Sequence, residues 1–492
     1  MNEKIPCSSN QKKQEALTAK KDENFSEWFS QIIQKAELAD LRYNIKGFLV
    51  FQPWAVLSME KMFSNMERVL QRKGHKPYYF PTLIPESNLK KESSHISGFS
   101  PEVFWVTHGG KDKLEERFAL RPTSETAFYQ MFNLWIRSYK DLPFKTYQRA
   151  NVFRHETKAT RPFLRSREFH WIESHCAHAS EKDAEKQVRE DMETTKEVLH
   201  DIFGLPFIFF ERPSWDKFPG ASRTFAADVL NPDGRLIQQP STHMISQNFS
   251  KAFDVKFKDK DGKEKYVYLT CYGPAISRIF ASVMIVHGDD KGLKFPWEIA
   301  PLQVVIVPIE KEDAKIKDKS KKLKEEIQKF ASVEIDYGDK RPGEKFNYWE
   351  MKGVPIRIDI GTRDLKKKKI TVFRRDLNKK EIFNESTAIK KIKEISGEIT
   401  KNLTEKADNL FKNKIKEAKN LAEIKEIIKK GGIARVEFCS VEKEGEKCAE
   451  IIEKETGAEV RGTRLDEKKK VHGKCVICNK KANHIVYIGK AY

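Results

Sequence analysis

No run of apolar residues in this sequence is long enough to cross a bilayer. The longest, such as VVIVPI from Val304, are strand-length, far short of the ~20 residues a membrane helix requires. The first 24 residues are polar and lysine-rich with no apolar core, so no secretory signal peptide is expected. Internal repeats and Gly/Ser linkers are absent too. Cysteine is sparse, seven in all; without an export signal these are expected as reduced thiols in the cytoplasm, and clustered ones on metal rather than in disulfides. Acidic residues fall short of basic ones, 72 against 92, which leaves a formal charge of +20. That excess draws a protein toward polyanions, of which nucleic acid is the commonest inside a cell. The expectation is a cytoplasmic protein with no membrane partner.

What is present exceeds one domain. The chain has 492 residues, whereas single cores stop growing near ~250 to 300. Residues 1–24 read as a disordered tail. From 25 to 298 two amphipathic helices, Phe25 to Leu41 and Trp54 to Arg72, precede an aromatic run with prolines inside it, PYYFPTLIP. After residue 100 come many short aromatic and β-branched runs, a hairpin turn at NPDG (231–234) and a charged helix from Glu181 to about Phe203. This pattern predicts an antiparallel sheet with inserted helices. From 299 to 400 strands alternate with helices, as in a small α/β domain. Residues 401–492 carry four of the seven cysteines.

The oddest stretch is FRHETKATRPFLRSREF, Phe153 to Phe169, with four arginines, one lysine and two glutamates framed by two phenylalanines. Taken alone it reads as a solvated hairpin. As strand, loop and strand it places arginine beside glutamate on one sheet face, which suits a ligand with phosphate at one end and an aminopurine at the other.

FRHE followed by a loop and Arg-x-x-x-Phe resembles motif 2 of the class II aminoacyl-tRNA synthetases. GHKPYYFP after a helix looks like motif 1, with Pro81 at the position that lies in that family's dimer interface. YVYLTCYGPAISR looks like motif 3, with its arginine at Arg278. RPTSE (121–125), HWIESH (170–175), KFPGA (217–221) and IQQPSTHMISQNFS (237–250) resemble parts of the proline and ATP pockets of prolyl-tRNA synthetases of the archaeal and eukaryote-like type. The resemblance covers nearly all of residues 25–492. It departs from the family in Ser-Thr-His-Met where Thr-Ser-His-His is frequent, and in Cys-Tyr-Gly where Ser-Trp-Gly is common.

The resemblance implies an α+β catalytic domain of the class II synthetase fold (25–298), an α/β anticodon-binding domain (299–400) and a small C-terminal zinc-bearing α+β domain (401–492). It implies a proline–tRNA ligase acting as a homodimer on L-proline, ATP with Mg²⁺ and tRNA(Pro). Arg154 and Arg278 are its implied catalytic residues. Thr123, Glu125, Arg154, Trp171, Glu173, His175, Phe218, His243 and Cys271 would line the proline site. Arg154, Glu156, Arg165, Phe169, Gln238, Ser241 and Arg278 would hold ATP. Lys158 and Arg161 would lie in the loop that the tRNA acceptor end passes, and the carboxylate of Tyr492 would reach toward the active site. Glu350 and Arg357 would read the anticodon, with Lys366 to Lys369, Arg374 and Arg375 on backbone phosphate. Bacterial-type relatives insert a large editing domain between motifs 2 and 3; here the spacing is too short, so no editing in cis is expected.

The Cys-x-x-Cys at Cys475 and Cys478, with Cys439 and Cys448, points to a closed structural zinc site of four thiolates. The long spacer between Cys439 and Cys448 leaves His472 or His484 as substitute ligands. A catalytically inactive synthetase-like protein that binds tRNA is the alternative reading, disfavoured because both Arg154 and Arg278 are present. A threonyl or glycyl synthetase is disfavoured by the Thr-Ser-Glu loop together with the cysteine-bearing tail.

Overall fold

Alternating aromatic and β-branched runs between residues 144 and 273 form the central strands of an eleven-stranded sheet. In this computed structural model, which describes residues 16–95, 103–155, 159–467 and 471–492, the chain divides into two units. The larger comprises residues 39–287, 295–301 and 394–492. Its sheet runs in the order Ile415–Glu417, Ile433–Phe438, His484–Ala491, Glu459–Arg464, Ile208–Glu211, Arg223–Leu230, Arg235–Ser246, Tyr268–Gly273, Glu168–His178, Phe144–Phe153 and Lys76–Pro77. From Ile208–Glu211 to Phe144–Phe153 every pairing is antiparallel, and Lys76–Pro77 joins the far edge in parallel. The NPDG turn closes the hairpin as expected, with Asn231 N donating to Arg235 O at 2.9 Å. The region from 401 onward continues this sheet, because Glu459–Arg464 pairs with Ile208–Glu211 and His484–Ala491 also pairs with Arg235–Ser246.

The proline-rich run behaves differently from the single strand it suggests. It breaks into Lys76–Pro77 and Leu83–Pro85, which lie in different sheets. Proline has no N–H for a ladder; Pro77 ends the edge strand, paired with Tyr147, and Pro81 lies in the break before Leu83–Pro85. The helix Pro53–Arg72 starts with proline at its first turn, where the missing N–H costs nothing, and buries Met59, Met62, Phe63, Met66 and Leu70 along one face.

The smaller unit comprises residues 1–38, 288–294 and 302–393. Its five strands are ordered Val333–Ile335, Val304–Pro308, Ile356–Ile360, Lys369–Arg374 and Lys379–Asn384, the first three parallel and the last two antiparallel. The last strand, KKEIFN, is absent from the sequence reading because its charged side chains face outward at an edge. Phe25–Lys35 is capped by Asn24 and buries Trp28, Phe29, Ile32 and Ile33. Of the expected N-terminal tail, residues 1–15 lie outside the described residues. Thr18 N donates to Gln31 Oε1 at 2.9 Å and Lys21 N to Asp290 Oδ1 at 2.9 Å, so the segment just before that helix is held by hydrogen bonds. Among the described residues no helix is long and apolar enough to cross a membrane.

Candidate active site

The hairpin Phe144–Phe153 and Glu168–His178 sets the site. Alternation along the second strand puts Phe169, Trp171, Glu173 and His175 on one face. Arg154 extends the pairing by one residue, its N donating to Arg167 O at 2.8 Å. Its side chain donates from Nε to Pro122 O at 3.3 Å, and its guanidinium sits 5.2 Å from the Phe169 ring and 5.9 Å from that of Trp171. The loop closes where Arg161 and Arg165 exchange backbone hydrogen bonds of 2.9 Å. Arg278, on the helix Ile276–His287, donates to Leu164 O and Gln238 O at 3.2 Å each. Glu156 and Lys158, expected in this loop, lie outside the described residues.

Arg278 titrates at about 10, pulled below the usual arginine range by loss of solvent and then by the charges of Arg154 and Arg165. Among the described residues no carboxylate pairs with any of these three guanidiniums. Mutually repelling cations without counter-charge mark a place where an anion binds.

Near Arg154 lies a group of carboxylates. Thr123 donates its hydroxyl to Glu125, and also to Glu173 Oε2 at 3.3 Å. Glu173, fully buried, accepts from Ser124 N at 3.1 Å and from Gln148 Nε2 at 2.7 Å, and lies 3.4 Å from His175 Nε2. Burial alone would raise its carboxyl; the hydrogen bond and charge of His175, with those from Ser124 and Gln148, outweigh that and hold it low. Cys271 Sγ stands 3.5 Å from Glu125 Oε1. Burial and the charges of Glu125 and Glu173 push its thiol well above the ordinary range, so it is a neutral thiol and no nucleophile. His243 sits between Thr224 Oγ1 and Ser241 Oγ at 3.0 Å each, and burial, then His175 and Arg212, lower it to about 3. His243 is therefore a neutral imidazole.

Beside these groups lies a cavity of about 340 Å³, walled by Trp171 and Phe218, with Phe218 tilted against His243 at 4.8 Å. A methyl group at Gly273 would come within 3.0 Å of Trp171 Cζ3, so glycine lets that indole pack against the strand. Thr123, Glu125, Arg154, Trp171, Phe218, Gln238, Ser241, His243 and Cys271 all line this cavity. Phe169 is buried at its rim behind Arg154, and Arg165 is exposed at the loop. Tyr492 N donates to Leu236 O at 3.1 Å, and its ring lies 5.4 Å from the Arg161 guanidinium. Sequence reasoning missed Arg212, Asp216 and Thr224, which line the same cavity, and the supports Ser124 and Gln148. Ser124 stood inside the RPTSE motif and was legible; Gln148 on a strand interior carried no signal.

In the smaller unit Glu350 and Arg357 come together, but as an ion pair of 2.8 Å. Arg357 is 2% exposed, also holds Asp359 at 2.8 Å and stacks on Phe346 and Phe373. Arg374 and Arg375, expected on backbone phosphate, are instead buried at 5% and 1% exposure, on Asp376 and Asp289 respectively. That expectation is corrected: paired and enclosed, they hold the unit together, while the exposed Lys366 to Lys368 remain on the surface.

In the C-terminal region Cys439, Cys448, Cys475 and Cys478 converge, their sulfurs all within 4.8 Å of one another. The spacer between Cys439 and Cys448 is bridged by the turn from strand Ile433–Phe438 into helix Lys443–Thr456. His472 and His484 are outside this group. Burial and the neighbouring sulfurs push Cys439 up to about 11, and Cys448 further. Four sulfurs that converge this closely fit a cation that would take them as thiolates.

Three family models match in the same order as these regions: tRNA synthetase class II core domain (G, H, P, S and T) over residues 104–287, anticodon binding domain over 303–395, and prolyl-tRNA synthetase C-terminal over 421–492. The proline–tRNA ligase of Thermofilum pendens is 46% identical over 97% of this chain and 100% of its own length. That of Methanopyrus kandleri is 42% identical over 95% and 96%. Among solved structures, Giardia lamblia prolyl-tRNA synthetase in complex with prolyl-adenylate superposes with a TM-score of 0.92 at 37% identity, covering 97% of this chain and all of that one. Prolyl-tRNA synthetase from Cryptosporidium parvum complexed with halofuginone and AMPPNP gives 0.92 at 32% identity, covering 97% and 100%. With identity of this order along almost its whole length, on a class II core that ends in the prolyl-specific C-terminal region, the chain belongs to the prolyl-tRNA synthetase (proline–tRNA ligase) family.

Proposed function

We propose that this protein joins L-proline to ATP, forming prolyl-adenylate, and passes the prolyl group to the 3′ end of tRNA(Pro). One observation carries the reading: a single cavity is lined by the carboxylate of Glu125, with Glu173 behind it, and by the guanidinium of Arg154, which no carboxylate among the described residues neutralises. A zwitterionic amino acid lying beside a polyphosphate matches that polarity. The secondary ammonium of proline donates to Thr123 and Glu125, with Glu173 and His175 behind them, and its ring lies between Trp171 and Phe218, near His243 and Cys271. Its carboxylate then meets Arg154. A carboxylate oxygen attacks the α-phosphorus, the bond to the β-phosphate breaks, and pyrophosphate leaves. Arg154 bridges nucleophile and α-phosphate, where charge accumulates, while Arg278 and Arg165 hold the distal phosphates. Phe169 stacks on the adenine, Glu156 accepts from its amino group, and Gln238 and Ser241 hold the remainder of the nucleotide. The described residues set no carboxylate beside the arginines, so Mg²⁺ would enter on the phosphates of ATP. A terminal ribose hydroxyl of tRNA then attacks the adenylate carbonyl and AMP leaves.

The same reading assigns residues 25–298 to catalysis, 299–400 to the anticodon and 401–492 to a zinc-bearing domain in which Cys439, Cys448, Cys475 and Cys478 would hold Zn²⁺ as a closed structural site. Glu350 and Arg357 would have to exchange their ion pair for base contacts when the anticodon binds. The helix Pro53–Arg72 and the proline run after it supply a homodimer interface; Leu57, Tyr79 and Leu83 stand 51%, 86% and 43% exposed there, apolar surface that a second copy would cover. Residues between motifs 2 and 3 are taken up by the sheet and its covering helix, which supports the absence of an editing domain in cis, and the setting is cytoplasmic. An inactive tRNA-binding protein is the weaker reading because Arg154 lines the cavity and Arg278 is held beside the cavity residue Gln238, neither paired with a carboxylate among the described residues. The test is ATP–pyrophosphate exchange across the twenty amino acids. Exchange is expected with proline; its absence, or a stronger signal with another amino acid, sinks the reading. Metal analysis of protein purified without chelator is expected to find one zinc per chain.

A further inference from the structure

The cavity has a buried support that comes from the C-terminal region. Asp228 is fully buried on the strand Arg223–Leu230, beside a register irregularity between Ala226 and Asp228, and irregularities of this kind re-aim a side chain. It receives Arg212 Nη2 at 2.7 Å and Arg461 Nε at 2.8 Å. Arg212 lines the cavity, donates from Nη1 to the backbone carbonyl of Arg461 at 3.0 Å, and approaches Gln238 Oε1 at 3.4 Å from Nη2. Arg461 is completed by Glu459 at 2.7 Å, and Arg212 has Asp216 at 3.9 Å. All three central residues are at most 6% exposed. The approach is built into the backbone: Gly462, at φ 121°, follows Arg461, and a Cβ there would stand 2.0 Å from Glu211 O. Only glycine allows the Glu459–Arg464 strand to come this close.

We propose that Arg461 is a positioning residue for nucleotide binding. Through Asp228 and its own carbonyl it fixes the guanidinium of Arg212, which in turn orients Gln238 in the cavity. The C-terminal region thus finishes the nucleotide end of the active site from behind. One buried aspartate shared by two arginines satisfies both only when the two lie side by side, so loss of Arg461 leaves Arg212 free to turn toward Asp216. The inference rests on the proposed role of Gln238 toward ATP.

The test is ATP affinity measured by calorimetry on the full chain, with thermal unfolding as a control. Arg461→Met is expected to weaken ATP binding on the order of tenfold, the scale of one charge-assisted hydrogen bond. Proline affinity should move by less than about twofold, since the buried carboxylate end is untouched. Arg461→Lys, which keeps a charge on Asp228, should recover most of the loss. In an Arg212→Met background the second change should add nothing, because the path is already cut. A folded Arg461→Met protein with unchanged ATP affinity, or equal weakening of ATP and proline, overturns the proposal. Should Arg461→Met fail to fold, Asp228→Asn is judged by the same two affinities. Wild-type protein that binds ATP but shows no proline-dependent exchange would sink the proposed function while leaving this inference to be decided by the affinities.

Discussion

Two sets of three arginines, one in each unit, have opposite surroundings. In the smaller unit Arg357, Arg374 and Arg375 each lie on a carboxylate and are at most 5% exposed. Arg375 holds both oxygens of Asp289, at 2.9 and 2.6 Å, and the side chain of Asn378 at 2.6 Å. In the larger unit Arg154 and Arg278, among the described residues, donate from their side chains only to backbone carbonyls, and Arg165 stands exposed at the loop. A neutral carbonyl fixes a guanidinium in place without neutralising it. The same residue type therefore does two jobs: saturated, it holds a fold; unsaturated, it keeps charge available for a ligand.

The strongest attempt to break that comparison removes charge from the unsaturated set. Arg154→Ala is expected to lower proline-dependent pyrophosphate exchange by at least about 10³-fold, in the range for deleting a donor aimed at transition-state charge. Its thermal unfolding should stay close to wild type, since one carbonyl hydrogen bond is lost. A variant that unfolds early and exchanges normally would reverse the assignment.

Asp289→Asn makes the converse test. It leaves Arg375 buried without its charge partner and with one acceptor oxygen in place of two, which costs on the order of 3 kcal/mol, while exchange by the folded fraction stays at the wild-type level. The Asp289 carboxyl, though partly buried, is held far below the usual range by Arg375 and Lys294. A depressed folded pKa gives stability that is present above about pH 4, the unfolded value, and is lost on acidification below it. The difference between wild type and variant in urea unfolding should therefore shrink below pH 4 and be constant from pH 5 upward.

Glu350→Ala divides the two units by function. Exchange, which needs only the cavity, should be unchanged, whereas charging of tRNA should fall by roughly ten- to a hundredfold, the scale of one base-specific contact. Arg357 keeps Asp359 in the variant, so the unit should stay folded. Equal loss of exchange and charging would refute the division.

The sequence made the strands and the ends of the cavity legible because they are local. Aromatic and β-branched alternation marked Phe144–Phe153 and Glu168–His178, and RPTSE and YGPAISR carried their charges openly. What stayed hidden depends on pairing across distance. Arg374 and Arg375 read as surface charge until Asp376 and Asp289 are brought to them, and Arg212, Asp228 and Arg461 come from three segments that no periodicity connects. The proline run read as one strand because its aromatic pattern outweighed the missing N–H of Pro81, which lies in the break between Lys76–Pro77 and Leu83–Pro85.

The smallest effect sharpens the comparison by asking what exposure does to an ion pair. His200 lies 2.8 Å from Asp201 and 3.1 Å from Asp408, with its side chain 29% exposed. Partial burial lowers the imidazole pKa, but hydrogen bonds to Asp201 and Asp408 outweigh it and the net shift is upward. A raised folded pKa gives stability that is fully present below the unfolded value near 6.5 and disappears as pH rises through the folded one, the opposite window from Asp289. Solvent screening limits such a pair to about 0.5 kcal/mol. Asp408→Asn should therefore lower stability by that amount at pH 5.5 and leave it unchanged at pH 9, measured by urea unfolding at both. A cost that persists at pH 9 would show that Asp408 acts through packing rather than through the charge of His200.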